Sequence, residues 1–324
     1  MGWNGSLDAS SALGAKITYT PDTSSEGAYA VTSFTAPKKG VYRFQLKGSG
    51  GTGGTYASGG SGGSTDGYLL LEKGQTAYIG AGGPCSAAFV SSASGSSLSA
   101  IGSGNLYFVA GGGGGGGVFN QHSDYTQWGS GGGNGGGSSG AKAENGGYGG
   151  TQSGGGAASG SYNSGNGSAG AYGKGGLGSY VSAQGGAYAT GGRGGDGYYG
   201  GGSGYSVASH NSGTGATSSY AFDGGGGSGY VKTASFSLLG KTYTSSTSQG
   251  GGAGSGANGS VSVTYYARAL LPVFFDGVQL ERLFINGTEA EGLVYDGVIV
   301  YMRSIARRIR RWLNCLRSMG RVSA

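Results

Sequence analysis

The sequence predicts a mainly β protein: an antiparallel β-sandwich with a glycine-rich, polyglycine-II-like core, a small C-terminal β-meander and one terminal amphipathic helix. Short alternating apolar segments separated by glycine-rich turns predict the sheets. Of the 324 residues, 82 are glycine, and 72 of these lie between residues 48 and 260. Only 10% of the residues are charged, which is too few for charge-driven disorder. Composition divides the chain into an N-terminal segment (1–29), a glycine-rich β-sandwich domain (30–266), a β-meander (272–302) and a basic amphipathic helix (303–324).

The first strands are expected in the region 17–47. Residues 31–34 have a strand pattern that leads to a turn after Pro37. In the next segment Tyr42, Phe44 and Leu46 alternate with polar residues and therefore share one face. An apolar face of this kind needs a second sheet to cover it. The candidate partner strands lie at 67–71, 76–79, 106–109, 229–231, 235–238 and 261–266.

Residues 111–230 have almost no strand pattern. They contain only six residues from the set Val, Ile, Leu and Phe, but eleven tyrosines and Trp128 among long glycine runs. One interpretation is a flexible linker. The other is a set of extended, polyproline-II-like strands whose glycines let the backbones approach closely and bond to one another. The aromatic residues and the flanking strands favour the ordered interpretation.

Turn dipeptides at a ten-residue spacing predict the C-terminal meander. The sequences Asp276-Gly277, Asn286-Gly287 and Asp296-Gly297 are separated by apolar alternations. Asn-Gly and Asp-Gly in this setting are strong hairpin signals. We therefore expect a small β-meander over 272–302.

The last 22 residues predict an amphipathic helix with seven arginines and no acidic residue. Its apolar stripe, which we expect to serve packing or assembly, consists of Ile305, Ile309, Trp312 and Leu316. Such a stripe favours burial against the same chain or a second copy. A lipid surface and nucleic acid are the alternatives. Because only Arg193 lies in an Arg-Gly-Gly setting, nucleic acid is not the expected partner.

The sequence argues against an enzyme, and it predicts no cofactor and no metal. His122, Ser123 and Asp124 have the residue types of a catalytic triad, but neighbours in sequence cannot adopt its geometry. The glycine-rich matches to nucleotide-binding motifs precede no helix that could hold a phosphate. One match to a calcium-binding nonapeptide, at 191–199, lacks the tandem copies that such sites need. Cys85 and Cys315 are expected to be free thiols.

The order of several segments resembles a known domain. The segment 34–37 is followed by a predicted strand at 41–46 and by a glycine-rich stretch that begins at Gly48. The segments 74–83 and 109–114 have the pattern of further strands that end in glycines. The segments 224–231 and 258–265 look like closing elements. Over roughly residues 30–266 this order resembles the glycine-rich domain of bacteriophage tail fibres. It is also similar to long-tail-fibre adhesins with polyglycine-II motifs, although the first 30 residues contain no recognisable attachment domain.

The resemblance implies a virion protein at a phage tail, and its loops would contact a glycan or protein of the host surface. Other virion tail proteins would be partners, and a homo-oligomer is expected, with a trimer favoured. The N-terminus lacks the pattern of a secretory signal, which agrees with virion assembly in the host cytosol. The alternative is a structural virion or surface protein whose glycine lattice gives stiffness and whose tail mediates assembly.

Tyrosine, serine, glycine and asparagine dominate 111–230, as they do in antibody binding loops. Aromatic faces also stack on sugar rings. The expected receptor-binding residues are those flanked by long polar stretches: Tyr125, Trp128, Tyr162, Tyr198, Tyr199 and Tyr205. The alternative for each is that it packs between glycine strands.

Overall fold

The computed structural model describes residues 2–55, 57–120, 132–143, 146–159, 166–212, 214, 217–238, 240–268, 273–275, 278–280, 284–285 and 288–289. Several predictions fall outside these residues, among them Tyr125, Trp128, Tyr162, and the terminal helix with Ile305, Ile309, Trp312 and Leu316. The chain divides into two compact units, Met1–Ser237 with Thr242–Ala267, and Leu238–Lys241 with Arg268–Ala324.

The strands are short and are numbered in chain order. Those of the first half are β1 (Gly2–Asn4), β2 (Lys16–Thr20), β3 (Tyr29–Thr35), β4 (Gly40–Lys47), β5 (Ser64–Leu71), β6 (Thr76–Gly82), β7 (Ala88–Ser91), β8 (Leu106–Ala110) and β9 (Val118–Phe119). Those of the second half are β10 (Tyr180–Ser182), β11 (Tyr188–Thr190), β12 (Ser206–His210), β13 (Thr217–Ala221), β14 (Tyr230–Val231), β15 (Ser235–Leu238), β16 (Lys241–Thr244), β17 (Ser246–Ser248), β18 (Ser260–Arg268), β19 (Val273–Phe275), β20 (Val278–Leu280), β21 (Phe284–Ile285) and β22 (Thr288–Glu289).

The prediction of a mainly β protein is confirmed, with 38% strand against 4% helical residues. Helical residues in the described part of the chain form three short 3-10 turns, at Leu98–Ala100, Ser103–Asn105 and Gln184–Gly186. Within the same residues, no helix has the length and apolarity needed to cross a membrane. The strands expected at 31–34, 41–46, 67–71, 76–79, 106–109, 235–238 and 261–266 lie within observed strands, and the one expected at 229–231 overlaps β14.

Two sheets share the main hydrophobic core. One has six strands in the order β1-β2-β18-β4-β5-β17, and the other has five in the order β14-β8-β7-β6-β3. The alternation in β4 buries Tyr42, Phe44 and Leu46 together, as the pattern predicted. Across the core, Phe44 contacts Phe108 of the five-stranded sheet, with ring centroids 6.2 Å apart. The apolar face of β4 is therefore covered by a second sheet.

The segment 1–29, which the sequence sets apart, is not separate from this core. Strand β1 pairs with β2, and β2 pairs in antiparallel register with β18 at the other end of the domain. Tyr19 is 3% exposed in the shared core. This long-range pairing has no local sequence signal, so composition alone could not reveal it.

In the second unit, the described residues between 273 and 289 form two short antiparallel pairs. Strand β19 pairs with β20, and β21 pairs with β22. These pairs flank the Asp-Gly and Asn-Gly dipeptides that predicted turns. The rest of the meander expected at 272–302 lies outside the described residues.

Glycine-rich segments between the strands form a second layer of structure, which we call the glycine block. Its segments are 48–54, 58–63, 111–117, 132–137, 140–143, 146–150, 155–159, 167–178, 191–204, 222–229 and 250–257. Segment 222–229 exchanges backbone hydrogen bonds with 111–117, 132–137, 140–143, 146–150, 191–198 and 199–204. A β-strand bonds to two neighbours at most, so this segment is not part of a sheet.

The hydrogen bonds of segment 222–229 repeat every three residues. Toward segment 111–117, the Gly224 N–H donates to the Gly115 oxygen at 2.8 Å and the Gly227 N–H to the Gly112 oxygen at 3.0 Å. Toward segment 199–204, the Gly225 N–H donates to the Gly202 oxygen at 2.8 Å and the Ser228 N–H to the Tyr199 oxygen at 2.9 Å. A repeat of three is that of a polyproline-II-type helix, which has no internal hydrogen bonds and must bond laterally.

Close approach, not backbone conformation, requires glycine in segment 222–229 of the block. A Cβ atom on Gly225 would lie 2.2 Å from the carbonyl oxygen of Tyr148. Segment 222–229 contains no residue with positive φ, so an L-residue could adopt its backbone conformation but could not fit. The backbone itself fills the interior where side chains would fill an ordinary core.

The block has two ends. At the proximal end its segments continue directly into β4, β5, β8 and β14. The register of the hydrogen bonds places Gly112 beside Gly227 and Gly115 beside Gly224, so residues 117 and 222 lie further from the sheets. Thr55 bonds there to Gly117. This distal end also carries β9 to β13, in a region where the sequence predicted almost no strands.

Candidate functional site

A buried ion pair lies inside the glycine block, within the motif that resembled a calcium nonapeptide. Arg193 donates from Nη2 to Oδ1 of Asp196 at 2.6 Å. Asp196 also accepts the Tyr29 hydroxyl at 3.0 Å and the Gly175 N–H at 2.7 Å. Burial, together with the neighbouring Asp196 charge, raises the pKa of Tyr29 well above its usual value, so its hydroxyl stays protonated and donates.

These contacts show what Asp196 does in this structure. Its carboxylate oxygens bind an arginine, a phenol and a backbone N–H, and the residue is 1% exposed. The described part of the chain contains no group of three or more His, Cys, Asp and Glu side chains placed to hold a metal. Arg193 is 8% exposed, so the guanidinium of the Arg-Gly-Gly sequence faces the protein interior.

Cys85 is a buried free thiol beside this ion pair. Burial raises its pKa to about 12, and the charge of Glu26 acts in the same direction. The thiol is therefore protonated at neutral pH, and a protonated thiol is a poor nucleophile. Cys85 also has a positive φ of 64°, which places it in a turn between β6 and β7. Cys315, the second expected free thiol, lies outside the described residues.

Two predicted receptor-binding residues, Tyr198 and Tyr199, lie at the proximal end of the block. Tyr198 stacks on Tyr230 with centroids 4.2 Å apart, and Tyr199 meets Tyr172 at 6.0 Å. The Tyr172 hydroxyl donates to the carbonyl oxygen of Ile101 at 2.7 Å. Both predicted tyrosines are only partly exposed. Their contacts are those of side chains that pack the block against the five-stranded sheet.

Of the three predicted site residues that the structure describes, Tyr205 lies at the distal end. Its ring stacks on Phe222 with centroids 4.0 Å apart and an angle of 19°. The residue is partly exposed. The structure therefore separates Tyr205 from Tyr198 and Tyr199 and does not bring the three into one patch.

A three-stranded sheet in the order β10-β11-β9 covers part of the distal end. On one face Val181, Ala189 and Phe119 pack with Ala221 in a small core. On the other face the rings of Tyr180 and Tyr188 stack with centroids 6.4 Å apart and an angle of 27°. We call this second face the tyrosine face; it consists of Val118, Tyr180, Ser182, Tyr188 and Thr190.

The tyrosine face is exposed. Tyr180 is 65% exposed, Tyr188 is 38% exposed and Val118 is 40% exposed. In the register Tyr180 lies opposite Thr190, which lies opposite Val118. Alternation therefore puts Tyr180, Tyr188 and Val118 on the same side of the sheet. Such a cluster of large exposed side chains makes this face a candidate interaction surface.

Polar contacts fix this small sheet to the block. The Thr55 hydroxyl donates to the carbonyl oxygen of Phe119 at 2.9 Å and accepts its N–H at 2.8 Å. Asn120 bridges the loop before β11, because its side chain accepts the N–H of Tyr188 at 2.7 Å and donates to the carbonyl oxygen of Gly186 at 2.8 Å. The tyrosines are thus held on a short but anchored sheet.

The strands around the tyrosine face are uncharged. Residues 118–120, 179–190 and 205–222 contain no Lys, Arg, Asp or Glu. Recognition at this face would therefore depend on ring stacking and on the hydroxyl and amide groups of Ser, Thr, Tyr and Asn.

Sequence reasoning missed Tyr180 and Tyr188 because it selected tyrosines by long polar flanks. The available signal was the alternation of Tyr180 and Ser182 around Val181, and of Tyr188 and Thr190 around Ala189. Runs of three residues are too short to be recognised as strands without the pairing that the block imposes.

Comparisons with protein-family models and with curated proteins identified no relative of this chain. No protein-family model matches the chain, and a search of curated proteins gave no significant match. The functional interpretation therefore depends on the residues and their geometry.

Proposed function

We propose that this chain is a non-enzymatic receptor-binding or tail-fibre protein of a bacteriophage virion. In this proposal the two sheets form an antiparallel sandwich, and the glycine block is a polyglycine-II lattice that continues it. The distal end of the lattice contacts a glycan or protein on the host surface. Other virion tail proteins bind elsewhere on the chain, and the protein acts as a homo-oligomer, with a trimer favoured.

The lattice part of the proposal is supported by the three-residue hydrogen-bond repeat and by the six neighbours of segment 222–229. A lattice of this kind satisfies backbone groups that would otherwise be buried without partners. It is also stiff, since each segment is bonded on several sides.

The observation that carries the receptor-binding proposal is the exposed, uncharged tyrosine face at the distal end. Tyr180 and Tyr188 are presented on an anchored sheet, away from the sandwich core, where a partner could reach them. Rigid presentation lowers the entropy lost on binding. The order of segments over roughly 30–266 that resembles phage tail-fibre domains points to the same function.

Blocking of phage adsorption tests the proposal. The purified full chain is added in excess to the host bacterium before the phage that carries the protein, and free phage is counted over time. We expect saturable binding of fluorescently labelled protein to these cells and a slower adsorption rate. A resistant strain that the phage does not adsorb to is the control. Unchanged adsorption at saturating protein would refute receptor binding and favour a structural role in the virion.

A further inference from the structure

We propose that the tyrosine face binds a neutral hexose glycan by stacking of pyranose rings on Tyr180 and Tyr188. The inference depends on the proposed function, because it names the kind of host-surface molecule that the distal end contacts. It assigns the contact to two residues that the sequence did not single out.

The ring geometry favours a sugar. The two rings stack with centroids 6.4 Å apart and an angle of 27° between their planes. Both rings are on the same side of β10 and β11. The C–H groups on one side of a pyranose ring carry partial positive charge, and an aromatic face carries the complementary negative charge. The two neighbouring tyrosine rings can therefore bind two consecutive sugar units, or one sugar unit together with the edge of the next unit.

The tyrosine face also offers hydrogen-bonding side chains beside the rings. Ser182 lies opposite Tyr188, and Thr190 lies opposite Tyr180. Both side chains are on the tyrosine face, and Ser182 is exposed. Hydroxyl groups in these positions both donate and accept, which suits the hydroxyl groups of a sugar.

The charge around the face favours a neutral glycan over an anionic one. Carboxylate, sulfate and phosphate groups on glycans are usually bound by Arg or Lys. None is present in residues 118–120, 179–190 or 205–222. Arg193, at the start of the next block segment, is 8% exposed and paired with Asp196. The face therefore complements an uncharged ligand.

Binding of the full chain to an oligosaccharide array tests the inference. The array carries glucose, galactose and mannose oligomers together with sialylated and sulfated forms of the same chains. We expect binding to one or more neutral oligomers. Because surface charges contribute little, affinity should be nearly the same in low and high salt. Absence of binding to every neutral oligomer, or binding only to the acidic forms, would overturn the inference.

Variants locate the contact. Tyr180→Ser and Tyr188→Ser should each weaken binding by about tenfold, since each removes one stacking ring, while Tyr180→Phe keeps the ring and should retain binding. The matched control is Tyr148→Ser, which removes another exposed tyrosine, 49% exposed and in contact with Lys142. Its binding should be unchanged. Equal binding by Tyr180→Ser and the control would overturn the assignment, provided both variants melt like the parent protein.

The outcomes separate this inference from the proposed function. If the protein binds host cells and blocks adsorption but binds no neutral glycan, the inference is wrong and the proposed function stands. In that case a protein receptor is indicated when protease treatment of the cells abolishes binding. If neutral glycans bind at Tyr180 but adsorption is unaffected, the proposed function is wrong and the glycan site stands.

Discussion

Substitution of Gly225 by alanine tests whether close backbone packing in the glycine block stabilises the domain. The new Cβ would lie 2.2 Å from the carbonyl oxygen of Tyr148 and 2.5 Å from its carbonyl carbon. Backbone atoms cannot rotate away, so segments 222–229 and 146–150 must separate. Separation weakens the two hydrogen bonds between them, from the Gly147 N–H to the Asp223 oxygen and from the Gly150 N–H to the Gly226 oxygen.

The size of the effect follows from these two bonds. Each leaves a buried donor or acceptor unsatisfied, which costs about 1–3 kcal/mol, so the free energy of unfolding should fall by about 2–6 kcal/mol. For a domain of this size the melting temperature should drop on the order of 10 °C. Calorimetric melting curves of the purified variant measure the drop directly.

Gly254→Ala is the matched control. A Cβ at Gly254 has no atom within 4 Å, and its φ is not positive. Because alanine restricts the unfolded chain, this variant should be unchanged or more stable by less than about 1 kcal/mol. If Gly225→Ala melts at the same temperature as Gly254→Ala, close backbone packing does not stabilise the domain and the lattice argument fails.

Three further predictions concern the interior. Asp196→Asn leaves the Arg193 charge buried without its partner and should lower the free energy of unfolding by about 3–5 kcal/mol. The control Asp66→Asn, at a partly exposed salt bridge, should lower it by no more than about 1 kcal/mol. Similar denaturant midpoints for the two variants would contradict this. Cys85, with its pKa raised to about 12, should resist iodoacetamide at pH 8 until guanidinium is added, as peptide mass mapping would show, and rapid native labelling would refute its burial. Since the pKa of Tyr29 is raised above its usual 10.0, the unfolded chain loses this proton first; the stability that Tyr29 contributes should be constant below pH about 10 and be lost above it, and a denaturant midpoint unchanged at pH 11 would contradict this.

Local patterns were sufficient for the main strands of the two core sheets. The alternation of Tyr42, Phe44 and Leu46 defines which side of β4 is apolar, and burial follows because that side must leave water. The Asp-Gly and Asn-Gly dipeptides likewise indicated where short antiparallel pairs form in the second unit.

Local patterns were not sufficient for the glycine block and its distal end. In a glycine run no residue has a side chain beyond a hydrogen atom, so no side-chain periodicity indicates which neighbouring segments it bonds to. The choice of Tyr198 and Tyr199 illustrates the difficulty: they resemble Tyr205 in sequence, yet they pack at the proximal end beside Tyr230. Tyr180 and Tyr188 become neighbours only through the pairing of β10 with β11.

The sequence by itself determined that this chain is mainly β and that its strands have one apolar side. It also determined that the glycines are concentrated in a stretch with too few apolar side chains to form an ordinary hydrophobic core. These properties depend on residue type and on spacing along the chain. Only the tertiary structure decided that Gly225 meets Tyr148, that Arg193 is buried against Asp196, and which tyrosines face solvent. Those outcomes depend on the lateral register of backbones, which is set by hydrogen bonds between segments far apart in the chain.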